Sequence, residues 1–427
     1  MVSNIQQSLL QNYKKRDNHL NVHSDYSYKY LVNFSQTKNL PIHRWFYYQE
    51  GYSPELVKNI LKHLNLINKK NLNIFDPFAG SGTTLLTSKQ LGFNSFGFEI
   101  NPFSAFMIKV KTRNYSHEEL LAYSKFRIPE YRSIPNVYSK YSLSMINRLF
   151  DKIKLEKIEI LKESIKQVKN QRVNDLLMAT LLSILEPTSN YRKAGNGLKR
   201  KRLRFDLDPF VEFQKKKLEI LSDLQLSISN NDEPIIINDS CLNVGKYNLK
   251  NIDVSIFSPP YANCFDPFEV YKIELWLGEF ISGYEDLKNK RKSALTSNLN
   301  ANLKKDIDTG HRTELLNEIL EILSKKELWD NRLVKMIDTY FFDMFIVLNE
   351  IYNKTKNGGY CVIVVGNSSY GNIAIPTDII LAEIGEKIGF KTKEIIVGRT
   401  NETSSQQHSK LGEFKDYIRE SLVILKK

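Results

Sequence analysis

Between Leu72 and Glu99 a strand, a glycine turn, a helix and a second strand follow one another, and this βαβ unit restricts the fold more than any other part of the chain. Leu72-Asn-Ile-Phe-Asp76 reads as a short strand, Thr83 to Leu91 as a helix, and Ser95-Phe-Gly-Phe-Glu99 as the next strand. The turn between them, Asp76-Pro-Phe-Ala-Gly-Ser-Gly82, places two glycines where a strand gives way to a helix. Glycine lacks a Cβ and tolerates positive φ, so backbone there can approach a bound cofactor closely. Glu99 ends the second strand, 17 residues beyond Gly82, where a carboxylate can accept hydrogen bonds from both hydroxyls of a ribose. A nucleoside cofactor is implied. No Lys follows the glycines as in a phosphate-gripping P-loop, and the third glycine of a dinucleotide fingerprint is missing. Gly-x-Gly by itself is equally a plain tight turn; strand, turn, helix, strand and acid in register favour a cofactor site.

Around this unit the pattern predicts an α/β fold, a Rossmann-like doubly wound sheet with an antiparallel C-terminal hairpin, interrupted by a helical insertion. Residues 1–40 show no clear periodicity and read as an N-terminal arm. Ser53 and Pro54 are an N-cap and first helical residue, with Leu56, Ile60 and Leu64 following at helical spacing. Residues 111–232 change to long helices, with Leu143, Ile146, Phe150 and Ile153 on one stripe and Val173, Leu177, Leu181 and Ile184 on another. This helical insertion is set apart as a candidate recognition region for a partner, and 41–110 with 233–427 form the domain that carries the cofactor turn. Short apolar runs at Pro234–Asn238 and Asp253–Phe257 suit a sheet buried on both faces. A polar, lysine-rich insertion spans about 262–330. A long helix near Val334–Tyr352, the strand Tyr360–Val365, a helix over Thr377–Ile388 and strands at Glu394–Val397 and Ser421–Leu425 complete the pattern.

The strand ending at Phe257 runs straight into Ser258-Pro259-Pro260-Tyr261. Two prolines fix a rigid bend and remove two N–H donors, leaving carbonyls and the Ser258 hydroxyl as outward acceptors. An exocyclic amine of cytosine or adenine has its lone pair delocalised into the ring. Acceptors that hold both N–H bonds out of plane restore its nucleophilicity. Tyr261 could stack on a base flipped from a duplex. In isolation the tetrapeptide is also an ordinary turn after a strand; beside the glycine turn it points to amine chemistry.

Taken together, Asp76-Pro-Phe-Ala-Gly-Ser-Gly82, Glu99 and Ser258-Pro-Pro-Tyr261 resemble the S-adenosylmethionine-dependent DNA amino-methyltransferase family. The Ser-Pro-Pro-Tyr form is most similar to its cytosine-N4 branch. The resemblance covers about 41–110 and 234–427. It implies methyl transfer from S-adenosylmethionine to cytosine N4 in DNA, as in the modification enzyme of a restriction-modification system with a separately acting endonuclease. By the same resemblance Asp76, Phe78, Ala79, Gly80 and Gly82 match the methionine-binding turn, and Glu99 matches the ribose acid. Asp239 matches the residue that reads the adenine amino group, and Phe46 and Gly51 match an extra cofactor-contacting segment. For Phe46 and Gly51 an aromatic core strand is the equal alternative. The cofactor turn precedes Ser-Pro-Pro-Tyr, without the permutation seen in many members, and the gap between them is long. Adenine-N6 methylation is the closest rival, since one geometry serves either amine, followed by an RNA base amino-methyltransferase and by a non-enzymatic nucleic-acid binder on a decayed scaffold. Methylation at cytosine C5 needs a cysteine nucleophile, usually presented as Pro-Cys. None of Cys241, Cys264 and Cys361 follows a proline.

A polyanionic partner also suits the composition. The 427 residues carry 61 Lys and Arg against 48 Asp and Glu, a net charge of +13. Between Pro187 and Lys217 ten basic residues face three acids, a difference of +7. Arg192, Lys193, Lys199, Arg200, Lys201, Arg202 and Arg204 are the candidates for gripping a DNA backbone, with a lysine-rich solvated helix end as the alternative. Arg399 to His408 could hold DNA from the C-terminal hairpin, or be only a polar loop. The three scattered cysteines suggest neither disulfides nor a metal site and fit a reducing cytoplasm. No apolar run reaches the length of a signal core or a membrane span.

Overall fold

The computed structural model describes residues 4–48, 50–195, 197–202, 206–226, 232–263, 265–303, 307–400 and 411–427. Its strands are β1 (Val22–Ser24), β2 (Asn73–Asp76), β3 (Asn94–Phe98), β4 (Tyr191–Ala194), β5 (Gly197–Arg200) and β6 (Ile235–Ile237). There follow β7 (Ile252–Phe257), β8 (Thr355–Gly366), β9 (Ser368–Tyr370), β10 (Ile373–Ile375), β11 (Lys391–Thr400) and β12 (Arg419–Lys426). Eight of them form one sheet in the order β1-β11-β12-β8-β7-β2-β3-β6. Strands β6, β3, β2, β7 and β8 run parallel, and β12 lies antiparallel between β8 and β11. This is the doubly wound α/β sheet with an antiparallel C-terminal pair that the sequence predicts. From β2 the chain winds outward through β3 to β6 and then returns to β7 on the other flank of β2. The point of reversal opens a crevice at the carboxyl ends of β2 and β7, where open α/β sheets bind their ligands.

Alternation along the strands feeds two cores. Ile74, Val254, Ile256, Val362 and Val364 face the helix Pro54–His63, which Ser53 caps by accepting from the Glu55 N–H. Phe75, Phe257, Ile363 and Val365 face the helices Leu333–Lys354 and Thr377–Ile388. A third core fills the helical segment, where Val173, Leu177, Leu181 and Ile184 are all buried on the helix Gln171–Thr188.

The N-terminal segment is not an irregular arm. Asn4–His19 is a helix with Leu9 and Tyr13 fully buried, and β1 extends the sheet by pairing with β11. Only a few apolar residues mark that helix, and three residues of strand leave no alternation to read. The stripe through Ile153 also breaks. A short helix ends at Leu149 and Asp151 caps a new one, which resets the helical phase and leaves Ile153 56% exposed. The stretch 262–330 is less polar in its role than in its composition. Leu315, Leu316, Ile319 and Leu323 of the helix Glu314–Ser324 join the main core. Phe268, Tyr271, Leu275 and Trp276 pack with the helical segment instead. Cys241 and Cys361 are buried thiols, and Cys264 lies outside the described residues. Among the described residues no helix is long and apolar enough to cross a membrane, and no cluster of His, Cys, Asp and Glu is placed to hold a metal.

Candidate active site

A cavity of about 420 Å³ occupies the crevice, with Phe78, Gly80 and Glu99 on one wall and Ser258, Pro259, Pro260 and Tyr261 on another. The first wall is set by the turn after β2. Asp76 ends that strand buried, and its Oδ1 accepts from the Phe78 N–H at 3.0 Å, which folds the chain back on itself. Burial pushes the Asp76 carboxyl up to about 7, against the opposing hydrogen bonds from Phe78, Thr84 and Tyr52. Gly80 and Gly82 take φ of +51° and +79°, the left-handed region that favours glycine. On the neighbouring strand a Cβ at Gly97 would fall 2.5 Å from Leu85 and 3.2 Å from Ala79. That glycine lets the turn and its helix press onto β3, the close packing a third glycine in the turn would otherwise provide.

Glu99 is gripped from both sides: Oε2 accepts from the Gly80 N–H at 2.7 Å and Oε1 from the Asn101 N–H at 2.8 Å. The carboxylate is thereby aimed from the end of β3 across the turn. Burial pushes it up to about 7; the two amides oppose the shift and the nearby Asp76 adds to it.

On the other wall, Ser258 leaves the buried end of β7. The Tyr261 ring lies over Gly366 at the end of β8, where a Cβ would come within 2.7 Å of it. The turn is held by the Asn263 N–H donating to the Tyr261 carbonyl at 2.8 Å and by the Tyr370 hydroxyl donating to the Ala262 carbonyl at 2.9 Å. Burial pushes the Tyr261 phenol up, Glu420 reinforces this, and a hydrogen bond with the Ser258 hydroxyl opposes it.

Not every candidate cofactor residue reaches the cavity. Gly51 does, 3.3 Å from the Ser81 hydroxyl for a Cβ placed there. Asp76, Ala79 and Gly82 stand behind the wall as its support. Phe46 is buried away from it, edge-on to Phe103 at 4.7 Å. Asp239 spends its carboxylate on its own loop, accepting from the Ser240 N–H, the Asn243 amide and the Tyr247 hydroxyl at 2.7 to 2.9 Å. Its neighbours Ser240 and Cys241 line the cavity instead. Tyr48 and Glu50, between Phe46 and Gly51, also line the cavity: Tyr48 is stacked on Tyr271 at 4.9 Å, and Glu50 accepts from the Tyr271 hydroxyl at 2.6 Å. Burial pushes Glu50 up to about 6.

The basic run divides. Arg192 and Lys199 sit opposite each other on the β4–β5 hairpin and are exposed, as are Arg200 and Arg202, and the hairpin tip at Gly195 borders the cavity. Lys193 and Lys201 must be removed from the candidate DNA contacts. Lys193 is fully buried, its Nζ 2.5 Å from Glu274 and 3.0 Å from Glu186. Lys201 donates at 2.8 Å to the carbonyls of Glu186, Pro187 and Ser189, closing the end of the helix Gln171–Thr188. Arg204 and residues 401–410 lie outside the described residues.

A doubly wound sheet whose switch point carries a glycine turn with its acid on one side and Ser-Pro-Pro-Tyr on the other defines an amino-methyltransferase. The model of the N6/N4 DNA methylase family matches residues 4–110, which takes in the N-terminal helix and β1. The chain is 30% identical to the type II methyltransferase M.BsoBI of Geobacillus stearothermophilus, over 93% of this chain and 88% of that one. It is 28% identical to the type II methyltransferase M.AvaI of Anabaena variabilis, over 95% and 90%. With M.MvaI of Kocuria varians the figures are 24%, 83% and 82%. The chain belongs to the N6/N4 DNA methyltransferases, among relatives of type II.

Proposed function

We propose that this enzyme transfers a methyl group from S-adenosylmethionine to N4 of cytosine in DNA, as the modification half of a restriction-modification system whose endonuclease acts separately. The observation that carries the proposal is the pairing of Glu99 and the glycine turn with Ser258–Tyr261 across one cavity. The residues fit the cofactor. Gly80 takes φ of +51°, which disfavours any side chain there, so backbone alone forms that part of the cradle. Glu99 would hold the ribose hydroxyls, and Phe78, Gly80 and Gly51 would bound the rest. The bound sulfonium would supply an electrophilic methyl group. The chain's own part is to position the amine. The Ser258 hydroxyl, released from Tyr261, and the Pro259 carbonyl would accept its two N–H bonds while Tyr261 stacks on the base. Digestion of the methylated DNA to nucleosides and mass spectrometry tests the assignment: N4-methylcytosine supports it, N6-methyladenine moves the target to the other amine, and 5-methylcytosine contradicts amine chemistry altogether.

Glu99→Ala is expected to weaken cofactor binding by on the order of 1.5 to 3 kcal/mol, the worth of hydrogen bonds to a charged acceptor. Because the Glu99 carboxyl is raised to about 7, it gains a proton as the pH falls through that value and becomes a poorer acceptor. Cofactor affinity should therefore drop below about pH 7 and level off about one unit above it. Isothermal calorimetry across that range checks both; a flat profile in the parent enzyme, or unchanged affinity in Glu99→Ala, rejects the ribose-acid role.

The hairpin is the proposed backbone grip. Alanine at Arg192, Lys199, Arg200 and Arg202 together should weaken DNA binding and flatten its salt dependence, by up to about 0.9 in log–log slope for each lost phosphate contact. An unaltered slope would leave these residues as a solvated face.

A further inference from the structure

Past Tyr261 the cavity wall continues onto two strands that no motif marks. Arg399 near the end of β11 and Glu420 at the start of β12 are direct cross-strand partners, and Glu420 in turn pairs with Gly366 on β8. Because β12 is antiparallel to its neighbours, the end of β11, the start of β12 and the end of β8 lie at the same edge of the sheet, beside Ser258. A Cβ at Gly366 would lie 2.7 Å from the Tyr261 ring and 3.3 Å from the Glu420 side chain, so the absent side chain brings ring and carboxylate together. Arg399 donates from Nε and Nη2 to the two Glu420 oxygens at 2.8 and 2.9 Å, the parallel fork geometry that fixes a guanidinium plane. Nη1 meets no acceptor among the described residues, and both side chains line the cavity.

Arg399 stands in the cavity wall three strands across the sheet from Ser258, and a cation held rigidly at the end of a base pocket opposite the amine discriminates between the two amines. With the exocyclic amine at Ser258, the Watson–Crick edge of cytosine continues with two acceptors, N3 and then O2. Adenine continues with the acceptor N1 and then a carbon-bound hydrogen at C2. A donor at the far end has a partner in cytosine and none in adenine, and a half-buried donor that is desolvated by the base and left unpaired weakens binding. We propose that Arg399, oriented by Glu420, donates to O2 of the flipped target and makes the pocket selective for cytosine. This rests on Ser258–Tyr261 being the amine-binding edge.

The test uses the full-length enzyme, S-adenosylhomocysteine and duplexes carrying its recognition sequence, with the target replaced either by 2-pyrimidinone, which keeps N3 and O2 but has no amine, or by an abasic site. Arg399→Ala should weaken binding to the pyrimidinone duplex by about ten- to a hundredfold, and to the abasic duplex by no more than about threefold. Arg399→Gln accompanies it, retaining a polar stem on β11 should the alanine variant lose the strand bridge. Equal losses on both duplexes would show that Arg399 grips the DNA backbone or merely braces the hairpin, and would overturn the proposal, as would no loss on either. The probe binds without accepting methyl, so its outcome is separate from the product analysis: N6-methyladenine from the parent enzyme would defeat the cytosine assignment, whereas a missing pyrimidinone preference defeats only Arg399.

Discussion

Lys193→Ala should destabilise the folded enzyme by about 3 to 5 kcal/mol, because it leaves buried carboxylates without their counter-charge. Lys193 Nζ stands between Glu186 and Glu274, with the Phe46 ring centre 4.6 Å away and that of Tyr271 5.1 Å away. Glu274 is itself fully buried, and its second oxygen has no hydrogen-bond partner among the described residues. Burial already pushes the Glu274 carboxyl up, and Lys193 is the main force holding it down. Without the ammonium, Glu274 must take up a proton or draw in water. Lys193→Met with Glu274→Leu removes both charges and should recover most of the loss, since apolar replacement of a buried pair is often neutral. Arg192→Ala, one residue away but exposed, should stay within about 0.5 kcal/mol of the parent. Urea denaturation followed by circular dichroism distinguishes these outcomes; a cost below about 1 kcal/mol for Lys193→Ala would mean that the cluster is already hydrated and its burial unimportant. Tyr271 also bonds Glu50 on the cavity wall, so the loosened variant is expected to bind cofactor more weakly as well.

Lys193 shows where sequence reasoning ends. It stands in a run that composition assigns wholly to solvent or DNA, and its partner Glu274 lies 81 residues away in a stretch that reads as polar. Nothing local distinguishes it from Arg192, because burial of a charge is decided by which helices meet. The same limit hides the Arg399–Glu420 pair, which exists only through the register of β11 on β12. By contrast, the strands β2, β3 and β7 and the turns after β2 and β7 are legible. Each is a short apolar run, and the turns after β2 and β7 carry residues of distinctive backbone chemistry: Gly80 and Gly82, which accept positive φ, and Pro259 and Pro260 with fixed φ. Because those turns sit at strand ends, the order of winding alone brings them to one crevice. Asp239 lies at such a strand end too, yet the next turn of chain, through Ser240, Asn243 and Tyr247, takes up its carboxylate. A position can therefore lie beside the cavity while its side chain is engaged elsewhere.

The largest loss of activity is expected from Tyr261→Ala. Stacking on an extruded base is worth about 1 to 3 kcal/mol per base in nucleic-acid sites. On the proposed mechanism the ring would also fix the plane of the base against the methyl donor, and a misplacement of about 1 Å can cost a hundredfold. The rate of methyl transfer should accordingly fall by about a hundredfold or more, while cofactor affinity, if set as proposed by Glu99 and the glycine turn, changes by less than about twofold. Tyr261→Phe separates ring from hydroxyl: it keeps the stacking face and releases Ser258 from the Tyr261 hydroxyl. If the ring is what matters, the phenylalanine enzyme retains most of its rate; if it is as slow as the alanine enzyme, the hydroxyl carries the function and the stacking role fails. Gly366→Val tests the same point without touching Tyr261, since a Cβ there would intrude to 2.7 Å of the ring and tilt it out of the pocket. Its rate should fall with that of Tyr261→Ala, measured by transfer of radiolabelled methyl groups into duplex DNA under single-turnover conditions.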